Sequence, residues 1–449
     1  MRISCSRSAD KGDKPGRRLG VGVGLTLLLM LGGIGWSGAA DVFLEATRPD
    51  FQKIPVSVMR FQDAEVPDHP GDRFADVLRA DLRRSQIFMV TDLLKLGLPL
   101  NGGGPPEPGL LKQAAEKGVT LVVWGTMTLR GGDLVLEGYA HDNGSSEGLL
   151  GKRYVGTPVV MRQMAHRLAD ELVYRYTGEP GIARTKIAYV SERQGSREVF
   201  VMDYDGYAPR QVTADGFINL MPHWSPDRRY LVFTSYRSRE RQMIDLVEVA
   251  SGKRSTLVAL EGLNITPVFS PDGTLLAFST SQDGNAEVYT MDVRSGALRR
   301  LTSDSAGDLS PSWSPTGREL AFTSDRGGGP QIYLMSADGS HVRRLTYQGD
   351  YNAAPAWSPR GNWIAYVCRT PQMQYKLCRI TPDGQRREQI TDGPGIDDSP
   401  SWSPDGRHLV FSSTRDGKNH IYMISADGTE LERLTSGGTN HASPSWSPA

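Results

Sequence analysis

Charge of one sign, cysteine and long hydrophobic runs are all scarce in this 449-residue chain. Lysine and arginine together number 51, as do aspartate and glutamate, so the formal net charge is zero. This balance gives no electrostatic footprint of a nucleic-acid-binding protein, and we expect no nucleic-acid partner. After residue 40 no apolar run is long enough to cross a bilayer, so we also expect no membrane span in the mature chain.

The first forty residues differ in kind from the rest. Six basic residues precede or open an apolar run over 19–36, and small residues follow at 38–40. A basic start, an apolar segment and a small-residue site are typical of a cleaved secretory signal peptide, and we expect cleavage after Ala40. A retained membrane anchor is the alternative, although glycines interrupt a run that is near the ~18-residue minimum for a span.

The cysteine count is three, and Cys5 lies in the expected signal peptide. The other two, Cys368 and Cys378, fall on adjacent predicted strands of one repeat. Exported proteins favour disulfides, and residues on opposed strands can meet the required Cα separation of roughly 4.4–6.8 Å. We therefore predict a bridge between them, with two half-buried thiols as the alternative.

Glycine and proline are plentiful, at 50 and 28 residues, as suits an all-β chain with many tight turns. A Pro-X-aromatic-Ser-Pro stretch recurs six times at steps of 44 or 45 residues. Its aromatic residues are Trp224, Phe269, Trp313, Trp357, Trp402 and Trp446. A period of this size predicts propeller blades, and the strands that follow each copy bring the count to four per repeat.

The two ends of the repeat region complement each other. The first apolar strand, 187–190, has no Pro-Trp-Ser-Pro strand ahead of it, and the last copy, 444–448, has no apolar strand behind it. A propeller must protect the edges of its sheets, and pairing these two half-blades closes the ring. The prediction is six blades over 184–449, closed by the C-terminal strand.

The segment 41–177 has a different pattern. It alternates at 54–61 as a strand does, has helical periodicity at 73–84 and 158–176, and contains a hairpin signal around 130–133. We therefore predict a small α/β domain in which helices pack on a mixed sheet. A glycine-rich linker, 178–183, follows it.

A polar residue recurs five positions ahead of each repeated aromatic. These polar ring residues are Asn219, Asn264, Asp308, Asn352, Asp397 and His441. Because they precede the predicted innermost strands, we expect them to face the channel mouth. Local turn chemistry is one interpretation of the pattern. The other is a polar ring that binds a partner or an ion.

The chain resembles the TolB family, the periplasmic propeller proteins of the Tol-Pal system, from about residue 41 to its end. The segments that carry the resemblance are Asp81-Leu-Arg-Arg-Ser85 with Phe88, Arg184-Thr-Lys-Ile-Ala-Tyr-Val190, Asp203-Tyr-Asp-Gly-Tyr207 and the Trp-Ser-Pro-Asp-Gly repeats. The resemblance implies a monomeric, non-enzymatic periplasmic scaffold without cofactor. It also implies a role in outer-membrane integrity and in invagination during cell division.

Two partners follow from the same resemblance. The propeller mouth would dock the lipoprotein Pal through Asn219, Asn264, Ile265, Asp308, Leu309, Asn352, Asp398 and His441. The mature N-terminal segment would bind TolA through Asp41, Val42, Phe43, Leu44, Glu45, Ala46 and Thr47.

A function of another class is a propeller hydrolase of the lactonase kind, which would need metal ligands converging in the channel. The polar ring is the candidate for such ligands. The sequence has no HExxH motif, zinc-spaced Cys/His set or phosphate loop, so we predict no catalytic residue and no metal.

Overall fold

The computed structural model describes residues 52–63, 66–98, 104–144, 148–193, 195–238 and 241–449. The predicted signal peptide, its cleavage site and the segment 41–47 lie outside these residues. Within the described ranges, no helix has the length and apolar character needed to cross a membrane.

The α/β region consists of one five-stranded sheet with helices on it. Its elements in chain order are β1 Ile54–Gln62, α1 Gly71–Arg84, β2 Phe88–Val90, a 3₁₀ turn Leu94–Leu96, α2 Pro108–Glu116, β3 Leu121–Arg130, β4 Asp133–Asp142, β5 Gly148–Gly156, a 3₁₀ turn Pro158–Val160 and α3 Met161–Thr177. The strand order is β2-β1-β3-β4-β5. Strand β1 runs parallel to β2 and β3, and the other pairs are antiparallel, so the predicted mixed sheet is present.

Helices α1 and α3 cover one face of this sheet because their apolar residues recur at helical spacing. Phe74, Leu78 and Leu82 of α1 are fully buried, and Leu168 and Leu172 of α3 join them in the same core. Helix α3 ends at Gly178, which takes the left-handed conformation that suits a glycine C-cap.

The propeller has six four-stranded antiparallel sheets, as predicted. Its first twelve strands are β6 Lys186–Arg193, β7 Ser196–Asp203, β8 Arg210–Gln211, β9 Asn219–Trp224, β10 Tyr230–Ser235, β11 Met243–Glu248, β12 Arg254–Val258, β13 Asn264–Phe269, β14 Leu275–Thr280, β15 Glu287–Asp292, β16 Leu298–Arg300 and β17 Asp308–Trp313. The remaining strands are β18 Glu319–Ser324, β19 Gln331–Ser336, β20 Arg343–Arg344, β21 Asn352–Trp357, β22 Ile364–Arg369, β23 Tyr375–Ile380, β24 Arg387–Gln389, β25 Asp397–Trp402, β26 His408–Ser413, β27 His420–Ser425, β28 Glu432–Arg433 and β29 His441–Trp446.

The innermost strands are β9, β13, β17, β21, β25 and β29, each of which contains the repeated proline and ends at the repeated aromatic. The channel side of such a strand has no neighbouring strand, so a residue without an N–H group is tolerated there. The second strand of each blade packs between neighbouring sheets. Leu276, Ala277 and Phe278 of β14, for example, have no exposed surface.

The C-terminal strand closes the ring. Strand β29 pairs antiparallel with β6, with Trp446 opposite Ile187, in a sheet of order β29-β6-β7-β8. The Trp446 indole Nε1 donates a hydrogen bond to Thr185 Oγ1 at 2.8 Å. We call β29 the clasp strand.

The α/β region and the propeller belong to one compact unit and share a hydrophobic core. At their contact the buried Asp81 carboxylate accepts hydrogen bonds from His166 Nδ1 at 2.7 Å and from the Tyr204 hydroxyl at 2.6 Å. Burial and the nearby Asp81 raise the pKa of Tyr204, so the phenol stays a donor. Beside it, Arg84 pairs with Glu432 at 2.6 Å.

A disulfide joins Cys368 and Cys378 on strands β22 and β23, with a Cα separation of 5.8 Å. The strand register places Cys368 opposite Lys376 and Tyr366 opposite Cys378. The two cysteines are therefore diagonal neighbours and not a directly opposed pair.

Candidate functional site

The two ends of the channel have different surroundings. The innermost strand and the third strand of each blade both end on the side where the α/β region packs. There Glu179 accepts hydrogen bonds from Arg360 and Arg407, which lie in the turns after β21 and β25. The innermost strands begin at the opposite end, where the loops from the outer strands lead into them. We call this opposite end the mouth.

We had expected the six polar ring residues to precede the innermost strands. They are instead the first residues of those strands. Five of them have 0% of their surface exposed, and His441 has 7%. The expectation that these side chains face the channel mouth is wrong, because each is enclosed between neighbouring blades. A contribution of Asn219, Asn264, Asp308, Asn352 and His441 to Pal binding stays a prediction, and direct contact would require their exposure.

The polar ring residues hold the junctions between blades. The backbone N–H groups of Asp308, Asn352 and His441 donate to carbonyl oxygens just ahead of the third strand of the preceding blade. Across each junction, the ring residue is matched by a residue 21 positions earlier in the chain, as in the pair Gln331 and Asn352. The junction pairs are Glu198 with Asn219, Met243 with Asn264, Glu287 with Asp308, Gln331 with Asn352, Lys376 with Asp397, and His420 with His441.

The choice between aspartate and asparagine in the ring follows the local charge. Asp308 pairs with Arg326 at 2.6 Å, and Asp397 pairs with Arg415 at 3.0 Å and with Lys376 at 3.3 Å. A buried carboxylate needs such partners, whereas a buried amide needs only hydrogen bonds. The ring pattern is therefore explained by stability inside the blades.

The second residue of each innermost strand contributes to the surface of the mouth, since five of these residues are half-buried and one is exposed, whereas the first residues are buried. The second residues are Leu220, Ile265, Leu309, Ala353, Asp398 and Ala442. Five of the six are apolar, and Asp398 is exposed. The structure thus places three of the predicted Pal contacts, Ile265, Leu309 and Asp398, on one accessible ring, which we call the mouth ring.

Apolar side chains in the loops extend the mouth ring outward. Phe217 is 45% exposed, Leu263 36%, Ile396 50% and Tyr347 72%. An apolar patch that stays exposed on a folded protein is typical of an interaction surface. Sequence reasoning did not identify these loop residues. It also missed Leu220 of the mouth ring, although a step of 45 residues back from Ile265 leads to it.

The third residue of each innermost strand adopts a left-handed backbone. These residues are Met221, Thr266, Ser310, Ala354, Ser399 and Ser443, with φ between 48° and 55°. None is glycine, so each carries a strain of roughly 1–2 kcal/mol. The strand register shifts at these points, which identifies them as bulges. They line a passage of only about 170 Å³, so the mouth is a surface with a shallow centre.

A larger chamber of about 550 Å³ occupies the other end of the channel. The repeated aromatics and prolines line it, together with serines and His223, and its described lining includes no Asp, Glu, Lys or Arg. Burial lowers the pKa of His223 to about 4. Across the described ranges no group of three or more His, Cys, Asp and Glu is placed to hold a metal ion.

Comparison with known proteins gives matches along most of the chain. The family model of the TolB beta propeller domain matches residues 173–449, and that of the TolB amino-terminal domain matches residues 42–139. A curated relative from Desulfosudis oleivorans, named Tol-Pal system protein TolB, is 34% identical over 58% of this chain and 60% of its own length. A relative of the same name from Anaeromyxobacter dehalogenans is 35% identical over 57% of this chain and 58% of its own length.

The matched part of the chain thus spans about 60% of the length of these curated relatives. The crystal structure of TolB from Acinetobacter baumannii is similar over 89% of this chain and 97% of that chain, with 27% identity and a TM-score of 0.76. Its similarity covers the α/β region as well as the blades. Since the propeller model alone matches well over half of the residues, the chain belongs to the TolB family.

Proposed function

We propose that this protein is a non-enzymatic, periplasmic binding protein of the Tol-Pal envelope system. Its mouth docks the lipoprotein Pal, and its N-terminal segment binds TolA. Through these two contacts it supports outer-membrane integrity and invagination during cell division. Membership of the TolB family supports the system, and the names of the curated relatives agree with it.

The observation that carries the Pal contact is the accessible, mostly apolar mouth ring. It lies at the channel end that faces away from the α/β region, so a partner can approach it without displacing that region. Its one carboxylate, Asp398, is exposed and can accept hydrogen bonds from a partner. An apolar centre with a polar group beside it has the composition of a protein–protein interface.

Two substitutions in the mouth ring test this contact. Ile265→Asp with Leu309→Asp places charge where apolar contact is expected, and we expect Pal affinity to fall by about 100-fold, as for a disrupted interface centre. Calorimetric titration of the folded double variant with Pal measures this. Exchange of Asn264 or Asp308 is unsuitable as a test, because both residues are buried and their exchange would disturb the blades.

A matched control comes from the same blade as Ile265. Leu298 on the outer strand β16 is also apolar and 42% exposed, but it lies far from the mouth. Leu298→Asp should leave Pal affinity unchanged. Equal affinity for the mouth-ring double variant and the wild type would refute the proposed docking surface.

The TolA contact is tested separately by deleting residues 41–47. We expect TolA binding to be lost and Pal binding to be retained, because the mouth ring belongs to the propeller. Titrations of the deletion variant with each partner decide this. Retained TolA binding would assign that contact to another part of the chain.

A further inference from the structure

The clasp junction differs chemically from the other five junctions between blades. It alone places histidine on both sides, His420 at the start of β27 and His441 at the start of β29. The ring centroids are 5.7 Å apart, and the side chains are only 3% and 7% exposed. Histidine is the side chain whose ordinary pKa lies between pH 5 and 8, so this junction can change charge where the Lys376–Asp397 and Gln331–Asn352 junctions do not.

Of the six innermost strands, β29 is also the one that no turn connects to the second strand of its own sheet, and the His420–His441 pair lies on its other side, against the blade β25–β28. Strands β29 and β6 meet only through non-covalent contacts, among them the pairs His441 with Ser191 and Trp446 with Ile187. In the other five sheets the innermost strand is connected to its neighbour by a short turn. His441 begins this strand and contacts both His420 of the preceding blade and Tyr189 of β6, so a change of charge at His441 acts on both attachments of the clasp strand.

We propose that ring closure is a pH-sensitive latch, in which neutral His420 and His441 hold the clasp strand and their protonation releases it. Protonation would place two positive charges side by side in a buried site. It would also place an N–H group on His441 Nδ1, a buried atom that has no hydrogen-bond partner in the structure.

The surroundings of the pair add to this effect. Cationic Arg433 on β28 and Lys418 oppose protonation of His420, while Asp416 favours it. Arg193 on β6 and Arg433 oppose protonation of His441, and a backbone contact with Ser436 favours it. Tyr189 on β6 packs its uncharged ring edge-on against His441, and Glu192 is bonded to Asn440. Burial dominates and lowers the pKa of both histidines.

The sign of the pH dependence follows from those lowered values. The unfolded or opened clasp binds protons near pH 6.5, whereas the closed clasp does so only at lower pH. Closure is therefore fully favoured above about pH 6.5 and weakens as the pH falls. Each histidine changes the closure equilibrium by at most about tenfold per pH unit below that point.

Hydrogen exchange of the whole protein at pH 7.5 and 5.5 tests the latch. After correction for intrinsic rates, we expect exchange of residues 441–446 to rise about tenfold or more at pH 5.5, while the innermost strands β13 and β17 change much less. The variant His420→Gln with His441→Asn copies the neutral Gln331–Asn352 junction, and in it the selective rise should disappear. The control His341→Asn, at an exposed site, should behave as the wild type does.

Two results would overturn the proposal. One is a rise that is equal in all six innermost strands, which would indicate general acid destabilisation. The other is a selective rise that persists in the junction-copy variant. If that double variant fails to fold, titration of the two imidazoles in the wild type by NMR replaces it, and ordinary pKa values for both would contradict the latch.

Discussion

At the scale of single residues, the polar ring shows that one repeated position can stabilise the contact between blades either through neutral hydrogen bonds or through ion pairs. Asn352 bonds to a neutral glutamine, whereas Asp397 sits between Lys376 and Arg415, and all of them lie inside the blades. The buried charges of Lys376, Asp397 and Arg415 compensate one another only when all three are present. Removing one partner leaves a charge without a counter-charge in a low-dielectric site, which is far more costly than the net value of the pair.

The first residue-scale prediction concerns that ion pair. Asp397→Asn should lower the free energy of unfolding by about 3 kcal/mol, because Lys376 would stay buried with its carboxylate partner gone. Lys376→Gln together with Asp397→Asn recreates the Gln331–Asn352 pair and should recover the part of that loss that comes from the buried lysine, while Arg415 keeps its hydrogen bond to Ser413. Urea unfolding of both variants measures the difference. A single variant that loses less than about 1 kcal/mol would show that the pair is not the main anchor of this junction.

At the scale of elements, the clasp strand is the part of the ring whose loss we expect to weaken closure most. Besides its pairing with β6, it is held where Ser447 N–H donates to Lys186 O at 2.8 Å and Lys186 N–H donates to Ser447 Oγ at 3.0 Å. The Trp446 indole is buried against the α/β side of the core. The contacts of β29 therefore join the first and last sheets and the α/β region in one place.

Two truncations test the clasp strand. Removal of 443–449 takes away most of the strand with Trp446, and we expect the melting temperature to fall by roughly 10 °C or more, since several kcal/mol of burial and hydrogen bonding are lost. Removal of 448–449 alone leaves Ser447 and both of its backbone contacts in place and should change little. Similar melting temperatures for the two truncated proteins, followed by circular dichroism, would exclude the clasp as the element that closes the ring.

The comparison of sequence and structure is clearest for these elements. The innermost strands and their closure could be predicted, because the proline-aromatic repeat is periodic and the half-blades at 187–190 and 444–448 are visibly incomplete. The burial of the polar ring could not, since a side chain at the start of a strand can point between blades or into the channel without any change in spacing. The contact of Asp81 with Tyr204 joins residues 123 positions apart, and no local pattern indicates it.

The candidate site was predicted in part for the same reason. Ile265, Leu309 and Asp398 were identified through the family resemblance and lie on the accessible mouth ring, whereas their neighbours one position earlier are enclosed. Exposure depends on how the loops from neighbouring blades pack. Residues such as Phe217 and Ile396 therefore require the three-dimensional arrangement to be recognised.

At the scale of the whole molecule, histidines that are buried in the neutral form are one source of instability in acid. His223 faces the chamber, accepts a hydrogen bond from the Phe269 N–H at 3.4 Å, and has a pKa lowered to about 4 by burial. Its folded pKa lies below the unfolded value of about 6.5, so its contribution to stability is complete above pH 6.5 and is lost as the pH falls towards 4. The loss from this residue is about 3 kcal/mol.

The variant His223→Ser tests this pH dependence with a residue that other blades use. Ser312 and Ser401 occupy the equivalent positions and accept the same bond from the next aromatic N–H, at 2.9 and 3.0 Å. We expect the variant to lose less stability than the wild type between pH 7.5 and 4.5, by up to about 3 kcal/mol. Urea unfolding at both pH values provides the measurement. Parallel losses in the two proteins would mean that His223 is not the group that titrates.

The differences between the junction pairs affect how many blades the ring contains when it closes. If the ring closed one blade early, with the Lys376 side of blade β21–β24 against the clasp strand, a buried lysine would meet His441 in place of Asp397. The aspartate would then have lost its buried lysine partner, so this five-bladed closure is disfavoured. The differences among the repeats thus act against this wrong closure, which the repeated Pro-X-aromatic-Ser-Pro stretch alone cannot exclude.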